Sequence, residues 1–199
     1  MFCVIDPRTR AVLDRLEARD TRERETGAAR AVRLRQVTPD VGLFLHNLVL
    51  AARPASLIEV GTSGGYSTLW LATAARAVGG DLTTLEIDPV KVALARASLR
   101  DAGLEDIVTI VEGDAFEYLR SRKDPAGFVF LDAEKEDYLY FLGLIAPVLS
   151  PGGVLIADNL TSHEADLRDF RDAALSDPRL SAVVVPIGRG ELFAVRLPD

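Results

Sequence analysis

The sequence predicts a doubly wound α/β domain whose sheet ends in an antiparallel hairpin. Three observations predict it. From Ser56 onward, short apolar runs alternate with segments of helical length and period. Runs such as Phe128-Val129-Phe130-Leu131 are apolar throughout, as strands covered on both faces must be. Near the C-terminus two further runs are separated only by Gly188-Arg189-Gly190, a connection too short for anything but a hairpin.

The elements follow in order. Pro7 to Gln36 reads as helix, with Val12, Leu13 and Leu16 on one face. Its second half is dense in charge, including Arg22, Arg24, Arg30, Arg33 and Arg35. That half is expected to be either a solvated helix or hinge, or a lid at the edge of a substrate site. Residues 1–37 are therefore separated as an N-terminal helical segment from the main domain at 38–199. Thr38 can cap a helix from Pro39 to Ala52, with proline at the first helical position. His46 on that helix has no second ligand one turn away and reads as a surface or half-buried residue. Strands are expected at Ser56–Val60, Asp81–Glu86, Ile107–Glu112, Gly127–Asp132, Gly153–Asp158, Ser181–Ile187 and Glu191–Leu197. Helices are expected at Tyr66–Ala77, Pro89–Gly103, Ala115–Arg120, Tyr138–Leu149 and Ala165–Asp177. Trp70 reads as core.

Composition limits the function. A chain of 199 residues, 48% apolar and 27% charged, suits one domain with a real core. No apolar run approaches the ~20 residues that span a bilayer. No secretory signal is visible in the first residues. The single cysteine, Cys3, excludes an intramolecular disulfide and stands in no motif, so it is read as a bystander. Together these points predict a cytoplasmic protein with no membrane association. The net charge of −7 disfavours broad contact with phosphate backbones and suits a small or cationic ligand, or a metal ion.

The glycines carry the first chemistry. Gly61-Thr62-Ser63-Gly64-Gly65 follows the first strand, where ligands of a doubly wound sheet sit, and glycine allows a ligand to come close. No lysine follows, so the loop is not of the Gly-Lys-Ser/Thr phosphate-binding kind. The glycine spacing also departs from the dinucleotide fingerprint. Glu59, just before the loop, is a poor neighbour for pyrophosphate and a good one for an ammonium or sulfonium group. Glu86, followed by Ile87, ends the second strand at the distance of an acid that accepts from both ribose hydroxyls. Adenosine without phosphate points to S-adenosylmethionine. Tyr66 and Ser67 open the next helix; Ser67 can reach the cofactor carboxylate, cap the helix, or do both. Asp132 ends the fourth strand and Asp158-Asn159 the fifth, two acids and an amide that suit a hard cation such as Mg²⁺.

The motifs EVGTSGGYS, LEID, Gly113-Asp114-Ala115, LDAEKEDY and IADN occur in that order at successive strand ends. Together they resemble the cation-dependent O-methyltransferases, relatives of the catechol and caffeoyl-coenzyme-A enzymes, over about Thr38 to the C-terminus. The resemblance implies a Rossmann-like class I methyltransferase with a seven-stranded, mostly parallel sheet. Ser63-Gly64-Gly65 is a mild departure from the family pattern, which leaves the backbone logic of the loop intact. The implied cofactor residues are Glu59, Gly61, Thr62, Ser63, Gly65, Tyr66, Ser67, Glu86, Ile87, Gly113, Asp114, Ala115 and Asp132. Asp114 is placed at the adenine edge, with an ordinary turn acid as the alternative. The implied metal ligands are Asp132, Asp158 and Asn159, for Mg²⁺ or else Mn²⁺ or Ca²⁺. Lys135, with Asp132, has the catalytic role of taking the proton of a substrate hydroxyl; a solvated lysine in a charged loop is its alternative. His163 reads as a capping-region residue or a group on the substrate side.

The family methylates catechols, phenols and related small molecules, and some short bacterial members methylate 5-hydroxyuridine at the wobble position of transfer RNA. The expected substrate is a small catechol-like or phenolic hydroxyl, with tRNA the alternative. A homodimer is expected from the family and from the apolar residues of the Pro39 helix. Two other classes stay open. A nicotinamide oxidoreductase would prefer NAD over S-adenosylmethionine, and a non-catalytic cofactor-binding protein would bind no divalent cation.

Overall fold

A computed structural model of the chain describes residues 5–29 and 32–198, so Cys3 and Arg30 lie outside the described residues. The strands are β1 (Ser56–Val60), β2 (Asp81–Glu86), β3 (Val108–Glu112), β4 (Ala126–Leu131), β5 (Leu149–Ala157), β6 (Leu180–Val185) and β7 (Glu191–Arg196). The helices are α1 (Pro7–Glu25), α2 (Pro39–Ala52), α3 (Tyr66–Val78), α4 (Pro89–Ala102), α5 (Ala115–Ser121), α6 (Tyr138–Val148) and α7 (Arg168–Ser176). One seven-stranded sheet has the order β3-β2-β1-β4-β5-β7-β6. Neighbours from β3 to β5 are parallel, and β7 runs antiparallel to both β5 and β6. The expected hairpin is therefore present. The strand order reverses between β1 and β4, which opens a crevice at the carboxyl ends of those strands.

The strands are apolar throughout because alternate side chains feed different cores. Phe128 and Phe130 of β4 join Val12, Leu45, Leu69 and Trp70 in one cluster. Val129 and Leu131 of the same strand join Phe141, Ile145 and Phe170 in the other. Helices α1 to α4 contribute to the first face, and α5 to α7 to the second.

The first helix is shorter than its pattern suggests. It starts where Asp6 accepts from the backbone N–H groups of Arg8 and Thr9, with proline in the first turn. It stops at Glu25 rather than Gln36, because Gly27 takes a left-handed φ of 64°. The chain beyond Gly27 is not a solvated continuation. Leu34 is buried, and its N–H donates to Glu23 Oε2 at 2.8 Å. Two other expectations change. His46 is buried, with Nδ1 3.2 Å from the Trp70 carbonyl oxygen and its ring edge-on to the indole. The apolar face of α2 is consumed inside the chain, where Val41, Leu45 and Val49 are buried. That helix gives no ground for the expected homodimer. The Thr38 side chain makes no capping hydrogen bond.

Register aligns the strand ends. Val60 pairs with Leu85 and Leu131, Leu131 with Ala157, and Ala157 with Leu192. One residue further toward the crevice, Glu86, Gly61, Asp132, Asp158 and Glu191 fall in one row across five strands.

Gly42 marks a tight contact between helices. A Cβ there would lie within 2.6 Å of the Trp70 ring, which fills the space between α2 and α3. Gly42→Ala is expected to lower unfolding free energy by about 2 kcal/mol or more by overpacking, measured by urea denaturation.

Candidate active site

A cavity of about 380 Å³ opens at the carboxyl ends of β1, β2 and β4, within the range of small-molecule sites. Its floor is the loop after β1. Gly61 has φ 102°, and a Cβ there would collide with the Asp132 carbonyl oxygen, so glycine is required. Gly65 takes φ 88° and caps α3, where the chain turns sharply into the helix. Ser63 takes φ 47°, donates its N–H to Glu86 Oε2 at 2.8 Å, and donates its hydroxyl to the Leu34 carbonyl at 2.6 Å. The cradle, the β2 acid and the N-terminal segment are thereby tied together.

Glu86 faces the cavity. Its Oε1 accepts from the N–H groups of Ile87 and Asp88, both at 3.0 Å. Three backbone donors fix this carboxylate while its remaining acceptor capacity is open to a ligand. Gly113, Asp114 and Ala115 lie opposite, and Asp114 also caps α5 by accepting from Phe116 N at 2.7 Å. Phe116 and Phe141 stack at 4.2 Å between ring centroids and give the cavity an apolar wall. Acidic side chains outnumber basic ones around the cavity, which suits a cationic ligand.

Of the predicted cofactor residues, Gly61, Thr62, Ser63, Tyr66, Ser67, Glu86, Ile87, Gly113, Asp114, Ala115 and Asp132 line this cavity. Glu59 and Gly65 do not. Glu59 is fully buried beneath the loop, where its carboxylate accepts from Ser67, Thr68 and Thr84 hydroxyls, each at 2.6 Å. Burial outweighs those three hydrogen bonds and pushes its pKa up to about 7. Glu59 thus braces the cradle from below. Ser67 follows the helix cap without being it; its hydroxyl is committed to Glu59. Tyr66 donates its hydroxyl to Glu17 Oε1 at 2.7 Å, which anchors α1 to the site.

The sequence reading offered the N-terminal segment as a lid at the edge of a substrate site without naming the residues that form a wall of the cavity. Leu34, Arg35, Gln36 and Val37 line it, and Arg35 pairs with Glu134 at 2.5 Å across the opening. A helical reading of that segment hid this role. Gly64, Phe116 and Phe141 were also missed, although Phe116 directly follows the Gly113-Asp114-Ala115 motif.

The second half of the site begins at Asp132, which also borders the cavity. Its Oδ1 accepts from Lys135 Nζ at 2.9 Å and from Asn159 Nδ2 at 3.1 Å. Lys135 is buried rather than solvated and donates further to the Ala133 carbonyl at 2.9 Å and the Tyr138 hydroxyl at 2.8 Å. Asp158 and Asn159 are buried beside it, and Asn159 takes φ 77°, a strained value for a residue with a side chain. Asp158 Oδ1 accepts from Asn159 N at 2.6 Å. Burial first, and then the neighbouring Asp132, pushes the Asp158 pKa up to about 6. The structure therefore brings Asp132, Lys135, Asp158 and Asn159 together. Among the described residues, no three of His, Cys, Asp and Glu stand in a metal-holding arrangement, so the candidate ligand set is two acids and one amide. His163 stands apart: it is exposed and paired with Asp166 at 3.0 Å.

A doubly wound domain with an acid-rimmed, adenosine-sized cavity and no phosphate-binding lysine motif defines a class of cofactor-dependent transferases. The comparisons make the family specific. Residues 58–160 match a methyltransferase domain model. A probable O-methyltransferase of Mycobacterium tuberculosis is 34% identical over 174 residues, covering 80% of this chain and 77% of its own. A catechol O-methyltransferase of the same organism is 34% identical over 138 residues, 69% of this chain and 62% of its own. The crystal structure of a Bacillus cereus O-methyltransferase with S-adenosylhomocysteine superposes with a TM-score of 0.80 at 26% identity, covering 94% of this chain and 90% of that one. The chain belongs to the cation-dependent O-methyltransferase family and is an S-adenosylmethionine-dependent O-methyltransferase with the Rossmann-like fold of that family. Among the described residues no helix is long and apolar enough to cross a membrane.

Glu59 gives a pH prediction. A carboxyl whose folded pKa, about 7, lies above its ordinary value of 4.5 holds more protons folded than unfolded. Its contribution to stability therefore falls as pH rises through that window. Glu59→Gln is expected to lose less Tm than wild type between pH 5 and pH 8, followed by thermal melting at closely spaced pH values.

Proposed function

We propose that this enzyme transfers the methyl group of S-adenosylmethionine to a hydroxyl oxygen of a small catechol-like or phenolic substrate, with a divalent cation held at Asp132, Asp158 and Asn159. The observation that carries the reading is the double position of Asp132, which borders the cofactor cavity and anchors the buried acid row. The donor chemistry fits a hard cation such as Mg²⁺. Two carboxylates and an amide converge, and Asp158 is held against the repulsion of Asp132 in a buried setting that favours added positive charge.

In this reading Glu86 takes the ribose hydroxyls, the backbone from Gly61 to Ser67 receives the amino-acid end, and Phe116 and Phe141 flank the adenine. The cation would supply Lewis acidity that lowers the pKa of a substrate hydroxyl. Lys135 takes the hydroxyl proton. Much of the acceleration then comes from holding oxygen and methyl in line, which is worth up to ~7–11 kcal/mol. The segment from Leu34 to Val37 forms the edge of the substrate and cofactor site, so residues 1–37 serve as a lid rather than an independent unit.

A small substrate is favoured over tRNA by the arginines themselves. Among the described residues of that charged run, Arg24 pairs with Asp20 and Arg35 with Glu134, which reduces the positive charge left for a phosphate backbone.

Asp158→Ala is expected to reduce methylation of 3,4-dihydroxybenzoate at least 1,000-fold while S-adenosylhomocysteine affinity, measured by calorimetry, changes less than about twofold. Excess chelator should stop wild-type turnover. Undiminished turnover in chelator contradicts the metal role, and labelled methyl appearing at wobble uridine of bulk tRNA contradicts the small-molecule preference.

A further inference from the structure

The wall from Leu34 to Val37 is docked on the glycine loop by a residue that no motif singled out. Leu34 is buried, and its main chain is gripped on both sides. Its N–H donates to Glu23 Oε2 of α1 at 2.8 Å, and its carbonyl accepts the Ser63 hydroxyl at 2.6 Å. Its side chain lies over Gly64. A Cβ on Gly64 would stand 3.0 Å from Leu34 Cδ2 and 3.2 Å from Leu94 Cδ2, closer than side chains ordinarily pack. Gly61 and Gly65 take left-handed φ values, but no positive φ calls for glycine at position 64. The side chain that Gly64 lacks leaves the socket that Leu34 fills.

Ser63 joins this contact to the ligand side. Its φ of 47° is strained for a residue with a side chain, and such a conformation persists only where the surroundings enforce it. Its hydroxyl is taken by the Leu34 carbonyl, while its N–H donates to Glu86 Oε2 at 2.8 Å. The other two donors to Glu86 are the N–H groups of Ile87 and Asp88, which follow it directly in the chain. Ser63 supplies the donor from a separate element, so it fixes where the carboxylate stands relative to the glycine loop. Arg35, next to Leu34, is also left-handed at φ 53°. Strained backbone thus lies at both ends of the Leu34–Ser63 hydrogen bond. Hydrogen bonds run from Glu23 through Leu34 and Ser63 to Glu86, linking α1 to the end of β2. Glu23 is not among the residues that line the cavity, so it acts on the site through Leu34.

We propose that Leu34 is a positioning residue of the cofactor site: seated on Gly64, it holds Ser63 in the conformation that presents its N–H to Glu86, and so couples the docking of residues 34–37 to the affinity for the adenosine end of the cofactor. This rests on the reading of Glu86 as the acceptor of the ribose hydroxyls and adds to it roles for Leu34, Gly64 and Glu23. The coupling is reciprocal: cofactor held at Glu86 favours the docked segment by the same factor as the docked segment favours cofactor.

The test is the S-adenosylhomocysteine affinity of the full chain, measured by calorimetry in a double-mutant cycle between positions 34 and 63. Leu34→Ala and Ser63→Ala are each expected to weaken binding about tenfold, the scale of one hydrogen bond to a charged group. The double variant should bind no more than about twofold more weakly than the worse single variant, because both act on the same contact to Glu86. Leu34→Met refills the socket and should bind within about twofold of wild type. Glu23→Ala removes the acceptor of the Leu34 N–H from outside the cavity, and it carries the same cycle with Ser63→Ala if Leu34→Ala does not fold. Binding by Leu34→Ala within twofold of wild type, or losses that multiply in the double variant, would overturn the role of Leu34 and leave the cofactor reading standing. Undiminished binding by Glu86→Ala would remove the ribose reading and this inference with it.

Discussion

Everything in the site depends on the parallel pairing of β4 between β1 and β5. Two backbone hydrogen bonds secure it at the carboxyl edge: Asp132 N donates to the Val60 carbonyl at 2.9 Å, and Asp158 N donates to the Leu131 carbonyl at 3.1 Å. They hold Gly61, Asp132 and Asp158 at one level. A slip of one residue would turn each acid to the other face of the sheet. The apolar clusters on both sides of the sheet oppose such a slip, because Phe128 and Phe130 would exchange places with Val129 and Leu131. Packing far from the crevice therefore fixes chemistry inside it.

The same row explains the division of labour among the acids. Glu86 accepts from three backbone N–H groups and is left able to accept from a ligand. Asp132 is shared between Lys135, Asn159 and the cavity. Asp158 and Glu191 are buried at facing positions of the β5–β7 ladder. Glu59, two residues before Gly61, lies buried beneath the loop and is satisfied by hydroxyls. A carboxylate's role here follows from its depth and its donors, not from its identity.

The alternation of strands and helices was legible in the sequence because each element repeats its own period, and six of the expected strand starts or ends coincide with the observed ones. The cradle and the acids Glu86, Asp132 and Asp158 were legible because strand ends in this architecture have a fixed location. The failures have physical causes. Gly27 ends α1 inside a run of helix-favouring residues, so the wall from Leu34 to Val37 was hidden. His46 is buried by Trp70 from another helix, a contact that no local pattern encodes. Glu59 was assigned to the ligand from its proximity in sequence, whereas it is fully buried beneath the loop and taken up by the hydroxyls of Ser67, Thr68 and Thr84. Glu191 was invisible because its partner stands 33 positions earlier and meets it only through antiparallel register.

The central claim is that one cleft holds a sulfonium donor and a carboxylate-bound cation on opposite sides of Asp132. Anomalous diffraction from crystals grown with S-adenosylhomocysteine and Mn²⁺ measures it directly. The account predicts a single strong manganese peak against Asp132 and Asp158, with the ribose on Glu86 in the same cavity. A manganese peak elsewhere on the molecule, or a nucleoside bound away from Glu86, would contradict it.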